Sequence, residues 1–349
     1  MNTTSASPVS TDLAVSPSSS PNTPITASPR STAQGVVRIV AFFSLILLLI
    51  VAADLLLDYG FRNIRTSMFG VSNRIVQGTI NADVIISGSS RALCHYDSPL
   101  LSKKLRKRVF NLGRNGSQTD MQLALLKTYL RHNTKPSVIV HNLDAFSFVT
   151  TKEVYDPAQY LPYLDQPHIY DELRRFHPGI WKSRFLPLYG YLVEDLRFQW
   201  LIAVRALFGR QPREDLMDGF QPRTRSWSED FQAFRQNNPN GVNFEIEEYG
   251  ISTVEEVARI CRDEGIKLVF VYSPEYGEVQ QITSNRSQIF EVFRSISKRY
   301  SAEFLDYSDW EQSFNREFFQ NSQHLNVLGA RAFSEDLARR FREQGLIAD

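Results

Sequence analysis

The stretch Val84-Ile85-Ile86-Ser87-Gly88-Ser89-Ser90-Arg91-Ala92 joins a short apolar run, rich in β-branched residues, to a Gly-Ser-Ser sequence. Residues 92–105, which follow it, can form a helix. This order predicts a buried strand that breaks at glycine and turns at once into a helix. Open α/β sheets bind their ligands at such turns. Ser90 would then lie at a helix N-terminus, where backbone N–H groups favour negative charge. The alternative is a serine that only caps the helix.

Further apolar segments continue this pattern along the chain. The predicted strands are residues 83–87, 108–112, 137–143, 267–272 and 302–306. Helical apolar spacing is found at residues 92–105, 121–131, 253–264, 287–300 and 327–344. Strands that alternate with helices at these distances predict an α/β domain over residues 81–345, with three layers and a doubly wound, mostly parallel sheet of five strands.

A long stretch at about 145–250 interrupts the α/β pattern. It is dense in aromatic residues and prolines, as in Tyr160-Leu161-Pro162-Tyr163, and contains Trp181, Trp200 and Trp227. It is predicted to be a mostly helical insertion between the third and fourth strands. Its aromatic side chains favour a small core of that lobe over a platform for stacking sugars.

The composition of the N-terminal region changes twice along the chain. Residues 1–34 are mostly Ser, Thr, Pro, Ala and Asn, and are predicted to be disordered. Residues 36–57 are apolar over about the twenty residues that a bilayer requires, which predicts one transmembrane helix. A cleaved signal peptide fits less well, because the preceding tail is long and weakly charged. Residues 58–80 form a polar connector, and basic residues on both sides of the span leave its orientation open.

Composition narrows the classes of function. The 349-residue chain has a net charge of +1, which gives no support for a nucleic-acid partner. Cys94 and Cys261 have no metal-ligand or redox spacing, and none of the six histidines forms a His-x-x-x-His pair. We therefore expect neither a metal site nor a cofactor.

Polar residues collect where the predicted strands end. They are Ser89-Ser90, the glycine-rich loop 113–117, residues 142–144, and the loop Asn321-Ser322-Gln323-His324-Leu325-Asn326 before the last helix. A serine nucleophile needs a base within hydrogen-bonding reach, a group that orients the base, and N–H donors for the oxyanion. All three could come together at this edge of the sheet.

These motifs resemble those of the SGNH, or GDSL-like, superfamily of esterases and acyltransferases, which implies an SGNH/flavodoxin-like fold. Gly88-Ser89-Ser90 resembles its first block, in which the last serine is the nucleophile. Asn111-Leu112-Gly113-Arg114-Asn115-Gly116 resembles the second block, whose later glycine donates an N–H to the oxyanion hole. Residues 321–326 resemble the last block, Asp-x-x-His. The resemblance implies that Ser90 is the nucleophile, His324 its base, and the N–H groups of Ser90 and Gly116 oxyanion donors.

The chain departs from the superfamily pattern at two positions. Asn321 stands where the last block has an acid; it can orient an imidazole but cannot offset the imidazolium charge. Asn142 lies on the third strand about three residues before the expected oxyanion-hole asparagine. The other carboxylates that could replace the acid are Asp144, Asp306 and Asp309. Arg91 could neutralise an anionic substrate or face solvent, and solvent is the preferred interpretation.

The resemblance extends to membrane-anchored members with Gly-Ser-Ser that act on cell-envelope polymers. It implies a membrane-tethered acyl ester hydrolase or O-acyltransferase that acts on an envelope polysaccharide. Its partners would be an acylated or acyl-accepting glycan, the membrane through residues 36–57, and a membrane-bound acyltransferase. The implied location is the inner membrane, with the catalytic domain on the periplasmic or extracellular side. Two alternatives stay open: a non-catalytic binding or assembly protein, favoured by Asn321, and an acyl thioesterase.

Overall fold

The computed structural model describes residues 29–150, 152–193, 199–213 and 216–347. Most of the tail predicted to be disordered, residues 1–28, lies outside this range. The first half of the described chain contains the helices α1 Pro29–Arg62, α2 Ser67–Val76, α3 Ser90–His95, α4 Ser98–Leu105 and α5 Thr119–His132. Its strands are β1 Val84–Ser87, β2 Val109–Asn111 and β3 Val138–Asn142.

The second half begins with a 3-10 helix, Pro157–Tyr163, and ends with the longest helix of the α/β domain. Its helices are α6 Pro167–Phe176, α7 Ile180–Phe185, α8 Tyr189–Val193, α9 Gln199–Leu207, α10 Asp230–Asn237, α11 Glu248–Asp263, α12 Gly277–Gln280, α13 Arg286–Tyr300 and α14 Val327–Glu343. The strands are β4 Lys267–Tyr272 and β5 Glu303–Asp306, and a second 3-10 helix spans Arg316–Phe318.

The five strands form one sheet in the order β2-β1-β3-β4-β5, and every neighbouring pair is parallel. Ile86 of β1 pairs with Asn111 on one side and with Val140 on the other. The strand order reverses direction between β1 and β3, and in doubly wound sheets ligands bind at this switch point. The prediction of a five-stranded α/β sheet is confirmed, and the sheet is entirely parallel.

Side chains that alternate along the strands divide the core into two layers of helices around the sheet. Ile85, Ile139 and Phe270 face one cluster, which contains apolar residues of α2, α5, α11 and α13. Val84, Val140 and Val271 face the other, which contains residues of α3, α4 and α14. Because both faces of the sheet are covered, the central strands contain uninterrupted apolar runs such as Val138-Ile139-Val140, as the sequence indicated.

The helix predicted at residues 92–105 is two helices. Asp97 interrupts it: its Oδ1 accepts the backbone N–H of Leu100 at 3.0 Å and caps α4. Pro99 follows in the first turn of α4, where a proline is tolerated but cannot continue a preceding helix. The chain therefore turns after His95, and α3 is a single short helix behind the Gly-Ser-Ser turn.

The N-terminal helix is longer than the span predicted at residues 36–57. It includes residues 29–34, which were predicted to be disordered, and it continues to Arg62. Residues 33–62 are long and apolar enough to cross a membrane, with a mean hydropathy of 2.9, which also suits a signal sequence. The predicted connector is not a simple linker, since Phe61, Ile64, Phe69 and Ile75 are buried in the core.

His141, on β3, gives the fold a testable dependence on pH. The imidazole is fully buried beside the ring of Phe270, and neither nitrogen has a hydrogen-bond partner among the described residues. Burial lowers the pKa of His141 to about 4. The native state therefore keeps it neutral, while the unfolded chain takes up a proton below about pH 6.5.

Stability should therefore fall as the pH falls from about 6.5 to about 4, by roughly 3 kcal/mol through His141. A His141→Leu variant should lose this part of the dependence, whereas His177→Leu, at an exposed histidine, should keep it. Urea denaturation at pH 7, 5.5 and 4.5 measures the difference. An unchanged slope in His141→Leu would contradict the assignment.

Candidate active site

The turn after β1 is built around Gly88. Its φ is +154°, and a Cβ there would lie 2.7 Å from the Cβ of Ala92 and 2.8 Å from that of Asn142. Only glycine fits this close approach. Ser89, the N-cap of α3, accepts the backbone N–H of Arg91 through its Oγ at 3.2 Å. Since Ser89 performs the capping, the Ser90 side chain remains available for another role.

Ser90 and His324 meet as the sequence predicted. Ser90 Oγ lies 2.8 Å from Nε2 of His324, although the two residues are separated by 234 positions. Both are partly buried, so they are reachable from solvent and still shielded in part. This distance is within the range for proton transfer from a serine nucleophile to its base.

Asn321 fixes the tautomer of His324. Its Oδ1 accepts the backbone N–H groups of Gln323 at 3.0 Å and of His324 at 2.9 Å. An atom that accepts two N–H groups is the amide oxygen and not the amide nitrogen. Nδ1 of His324 lies 3.0 Å from the same oxygen, so Nδ1 carries the proton. Nε2 therefore presents its lone pair to Ser90, and the Ser90 hydroxyl donates to it.

A second histidine supports the loop that carries His324. The backbone N–H of Leu325 donates to Nε2 of His95 at 3.1 Å. Nδ1 of His95 lies 2.9 Å from the Ser273 hydroxyl, to which it donates. Burial, followed by the charge of Arg91, holds the pKa of His95 well below its usual range, so the ring stays neutral and Nε2 stays an acceptor. No motif or spacing in the sequence indicates this contact, which joins residues 230 positions apart.

Arg91 is buried and not solvent-facing, which corrects the preferred interpretation of the sequence. Its Nη1 lies 3.1 Å from Oδ1 of Asp144 and 3.9 Å from Oε2 of Glu275, and its guanidinium packs 4.6 Å from the centre of the Tyr272 ring. Its Nη2 also donates to the carbonyl of Ser273. A buried cation requires such partners. Arg91 thus ties the ends of β3 and β4 together below Ser90.

Two of the three carboxylates considered as substitutes for the acid have other partners. Asp144 pairs with Arg91, and Asp306 Oδ1 accepts the backbone N–H of Ser308 at 2.9 Å. Contact with Nδ1 of His324 is made by Asn321. The orienting residue of the last block is therefore a neutral amide.

The structure does not support Asn142 as an oxyanion donor. The side chain is fully buried at the end of β3, where its Oδ1 accepts the hydroxyl of Tyr96 at 2.7 Å. Its Nδ2 donates to the Leu143 carbonyl at 3.3 Å and to Oδ1 of Asp144 at 3.1 Å. Both amide hydrogens thus donate to protein acceptors. Asn142, which lies about three residues before the expected oxyanion-hole position, therefore stabilises the end of β3.

The glycine-rich loop lies against the nucleophile turn, because the backbone N–H of Arg114 donates to the Gly88 carbonyl at 3.1 Å. Gly116 has a φ of +63°, and a Cβ there would lie 2.4 Å from Cγ of Tyr155. The positive φ and the close approach of the Tyr155 ring thus explain why residue 116 is a glycine. An oxyanion contact from Gly116 stays a prediction.

An apolar cleft of about 410 Å³, counting its open mouth, adjoins the site. Its apolar walls include Phe146, Phe234, Val242, Phe244, Val279 and Ile282. Arg91, Glu275 and Gln323 also line it, so the cleft reaches the chain neighbours of Ser90 and His324. Among the residues that the structure describes, no cluster of His, Cys, Asp and Glu is suited to a metal ion.

Comparisons with known proteins give matches in structure only. No family model and no curated protein sequence matches the chain. It is similar to a GDSL-like lipase from Bacteroides thetaiotaomicron, with 10% identity, coverage of 74% of this chain and 87% of that chain, and a TM-score of 0.34. An α/β hydrolase from the metagenome of Lake Arreo has 10% identity, coverage of 77% and 97%, and a TM-score of 0.38.

A family two carbohydrate esterase from Clostridium thermocellum is also similar, with 9% identity, coverage of 75% of this chain and 63% of that chain, and a TM-score of 0.32. These proteins include the GDSL-like class that the sequence motifs resemble. Because all three TM-scores lie below 0.5, the chemistry considered for this chain rests on its own residues.

Proposed function

We propose that this chain is a serine-dependent acyl ester hydrolase or O-acyltransferase. The observation that carries the proposal is the continuous contact from Ser90 Oγ through the imidazole of His324 to Oδ1 of Asn321. The tautomer deduced for His324 is the one that a general base requires. A serine that only capped a helix would not need this arrangement, and Ser89 already caps α3.

In the proposed reaction, Ser90 Oγ attacks the ester carbonyl while Nε2 of His324 takes the hydroxyl proton. The backbone N–H groups of Ser90 and Gly116 are the proposed donors to the oxyanion. The bond to the leaving alcohol then breaks, and His324 returns the proton to the alcohol oxygen. In the second half, Nε2 of His324 takes a proton from water or an acceptor hydroxyl as its oxygen attacks the carbonyl of the acyl-Ser90 ester. The bond from the acyl carbon to Ser90 Oγ then breaks and His324 returns the proton to Oγ, which gives hydrolysis or transfer.

Asn321 determines the rate that we expect for this reaction. An amide orients the imidazole, but it leaves the positive charge that develops on the ring without a full counter-charge. The buried carboxylate of Asp144 is paired with Arg91, and Asn321 is the group at Nδ1 of His324. The proposed enzyme is therefore slow on simple esters.

The proposal extends to location and substrate. The apolar part of α1 suits a single-pass anchor in the inner membrane, with the catalytic domain on the periplasmic or extracellular side. An envelope polysaccharide is the proposed acyl donor or acceptor, and a membrane-bound acyltransferase the proposed protein partner. Two features of the sequence support the proposed location and substrate: the motif resemblance and the apolar segment of α1.

Two other functions have a specific observation in their favour. A non-catalytic binding or assembly protein is favoured by the neutral Asn321 in the position of an acid. A thioesterase is favoured by the apolar side chains that line the cleft beside Arg91 and Gln323.

A substrate panel separates these functions. Full-length protein in detergent micelles is supplied with oxygen esters and thioesters of matched acyl chains, with and without an oligosaccharide acceptor. We expect Ser90-dependent release from short-chain oxygen esters to exceed release from thioesters, and acyl-oligosaccharide to form when the acceptor is present. Mass spectrometry measures both products. Turnover restricted to thioesters would overturn the ester assignment, and no turnover of any substrate would favour the binding protein. The control variant is Ser252→Ala, at an exposed serine of α11.

A further inference from the structure

The insertion between β3 and β4 carries an unusual number of exposed apolar side chains on three short helices. We call the described residues of α7, α8 and α9 with their flanks the apolar lobe, residues 178–193 and 199–213. Its large exposed side chains are Trp181, Phe185, Leu186, Leu192, Val193, Trp200 and Phe208, with exposed fractions from 42% to 79%. These aromatics were predicted to form the core of the insertion, and for this group that prediction is wrong.

The apolar lobe packs on the C-terminal turns of α1. The backbone N–H of Leu188 donates to Oδ1 of Asp54 at 2.8 Å. The ring of Tyr191 stacks on Phe61 with centroids 5.6 Å apart, and its hydroxyl donates to Asp58. A Cβ on Gly60 would lie 2.5 Å from the carbonyl oxygen of Ala203, so α9 also touches this helix directly.

Chain continuity brings these contacts close to the apolar segment of α1. The helix runs without a break from that segment into residues 54–62, which the apolar lobe contacts. Leu55, Leu56 and Tyr59 are exposed on the same turns, at 61%, 56% and 62%. The lobe therefore contacts the helical turns that directly follow the apolar segment in sequence.

The composition of this segment suits a lipid headgroup region. Residues 178–213 contain six basic residues, Lys182, Arg184, Arg197, Arg205, Arg210 and Arg213, and two acidic residues, Glu194 and Asp195. Tryptophan, together with Lys and Arg whose stems lie along apolar surface, is typical of the interface between acyl chains and water. Basic residues there also attract anionic lipids.

We infer that the apolar lobe inserts its exposed aromatic and aliphatic side chains into the interface of the bilayer that holds α1, with its basic residues among the headgroups. The inference rests on the proposed membrane anchor. Large exposed apolar side chains in this number within one short segment point to a partner surface. Lipid is the partner that the contacts with residues 54–61 and the basic composition favour.

Tryptophan quenching tests the inference in the full-length protein. The chain has four tryptophans, of which Trp181 and Trp200 lie on the apolar lobe, whereas Trp227 and Trp310 pack among aromatic rings elsewhere. In vesicles of phosphatidylcholine and phosphatidylglycerol with brominated acyl chains, we expect tryptophan fluorescence to be quenched. The Trp181→Phe/Trp200→Phe variant should lose this quenching, and the matched variant Trp227→Phe/Trp310→Phe should keep it.

A reporter on α1 separates this inference from the anchor itself. Phe42→Trp, added to the Trp181→Phe/Trp200→Phe variant, places a tryptophan in the apolar segment. If the reporter is quenched but Trp181 and Trp200 in the unmodified chain are not, the anchor holds and the lobe inference is overturned. If the reporter is not quenched either, the anchor proposal fails and the inference fails with it.

Discussion

Replacing Ser90 with alanine is expected to lower kcat/KM for ester cleavage by roughly 10³-fold or more. The variant removes the atom that lies 2.8 Å from the base, and it leaves the Ser89 cap and the Gly88 turn unchanged. The fold should persist, because Ser90 is partly exposed at the first position of α3. His324→Ala should cause a loss of similar size, and the double variant should lose little more, because the two residues act as one unit.

Initial rates on the best oxygen ester, together with a thermal melt of each variant, measure this prediction. Ser252→Ala should retain the activity of the unmodified chain. A Ser90→Ala variant that melts normally and keeps most of the activity would show that the turnover comes from another group.

Replacing Asn321 with aspartate is expected to raise kcat/KM by about 10- to 100-fold, because a charge-assisted hydrogen bond contributes about 1.5–3 kcal/mol. The carboxylate would occupy the position of Oδ1, which already accepts Nδ1–H and two backbone N–H groups. The expected gain is smaller than the loss caused by a wrong tautomer, about 10⁴-fold in serine proteases, because the tautomer is already correct.

The matched control is Asn321→Ala, which removes all three acceptor contacts and should lower activity below that of the unmodified chain. Steady-state kinetics at neutral pH compares the three proteins. If the aspartate variant folds and gains nothing from an undetectable starting level, the site lacks oxyanion stabilisation, and the binding or assembly protein becomes the better interpretation.

The sequence predicted the sheet well because its inner strands are buried on both faces. All five strands were placed within about one residue of their ends, since runs such as Val138-Ile139-Val140 are apolar without alternation and are bounded by polar turns. The meeting of Ser90 with His324 could also be predicted, because both follow from the parallel topology and from motif resemblance.

Contacts between distant residues could not be predicted in the same way. Arg91 is buried beside two partners, the carboxylate of Asp144, 53 positions away, and the carbonyl of Ser273, 182 positions away. Contacts between residues so far apart in the chain produce no periodic pattern in the sequence. His95 supports Leu325 across 230 positions. The break between α3 and α4 does have a local signal, Asp97 followed by Pro99, but the apolar spacing of residues 92–105 favours one continuous helix.

The most direct test of the central claim is covalent labelling of the full-length protein in micelles by a fluorophosphonate probe. An activated serine attacks the phosphorus, whereas a capping serine does not. We predict one labelled site on Ser90, identified by peptide mass spectrometry, that is lost in both Ser90→Ala and His324→Ala and is stronger in Asn321→Asp. Folded protein that stays unlabelled, or labelling that survives in His324→Ala, would contradict the claim that His324 activates Ser90.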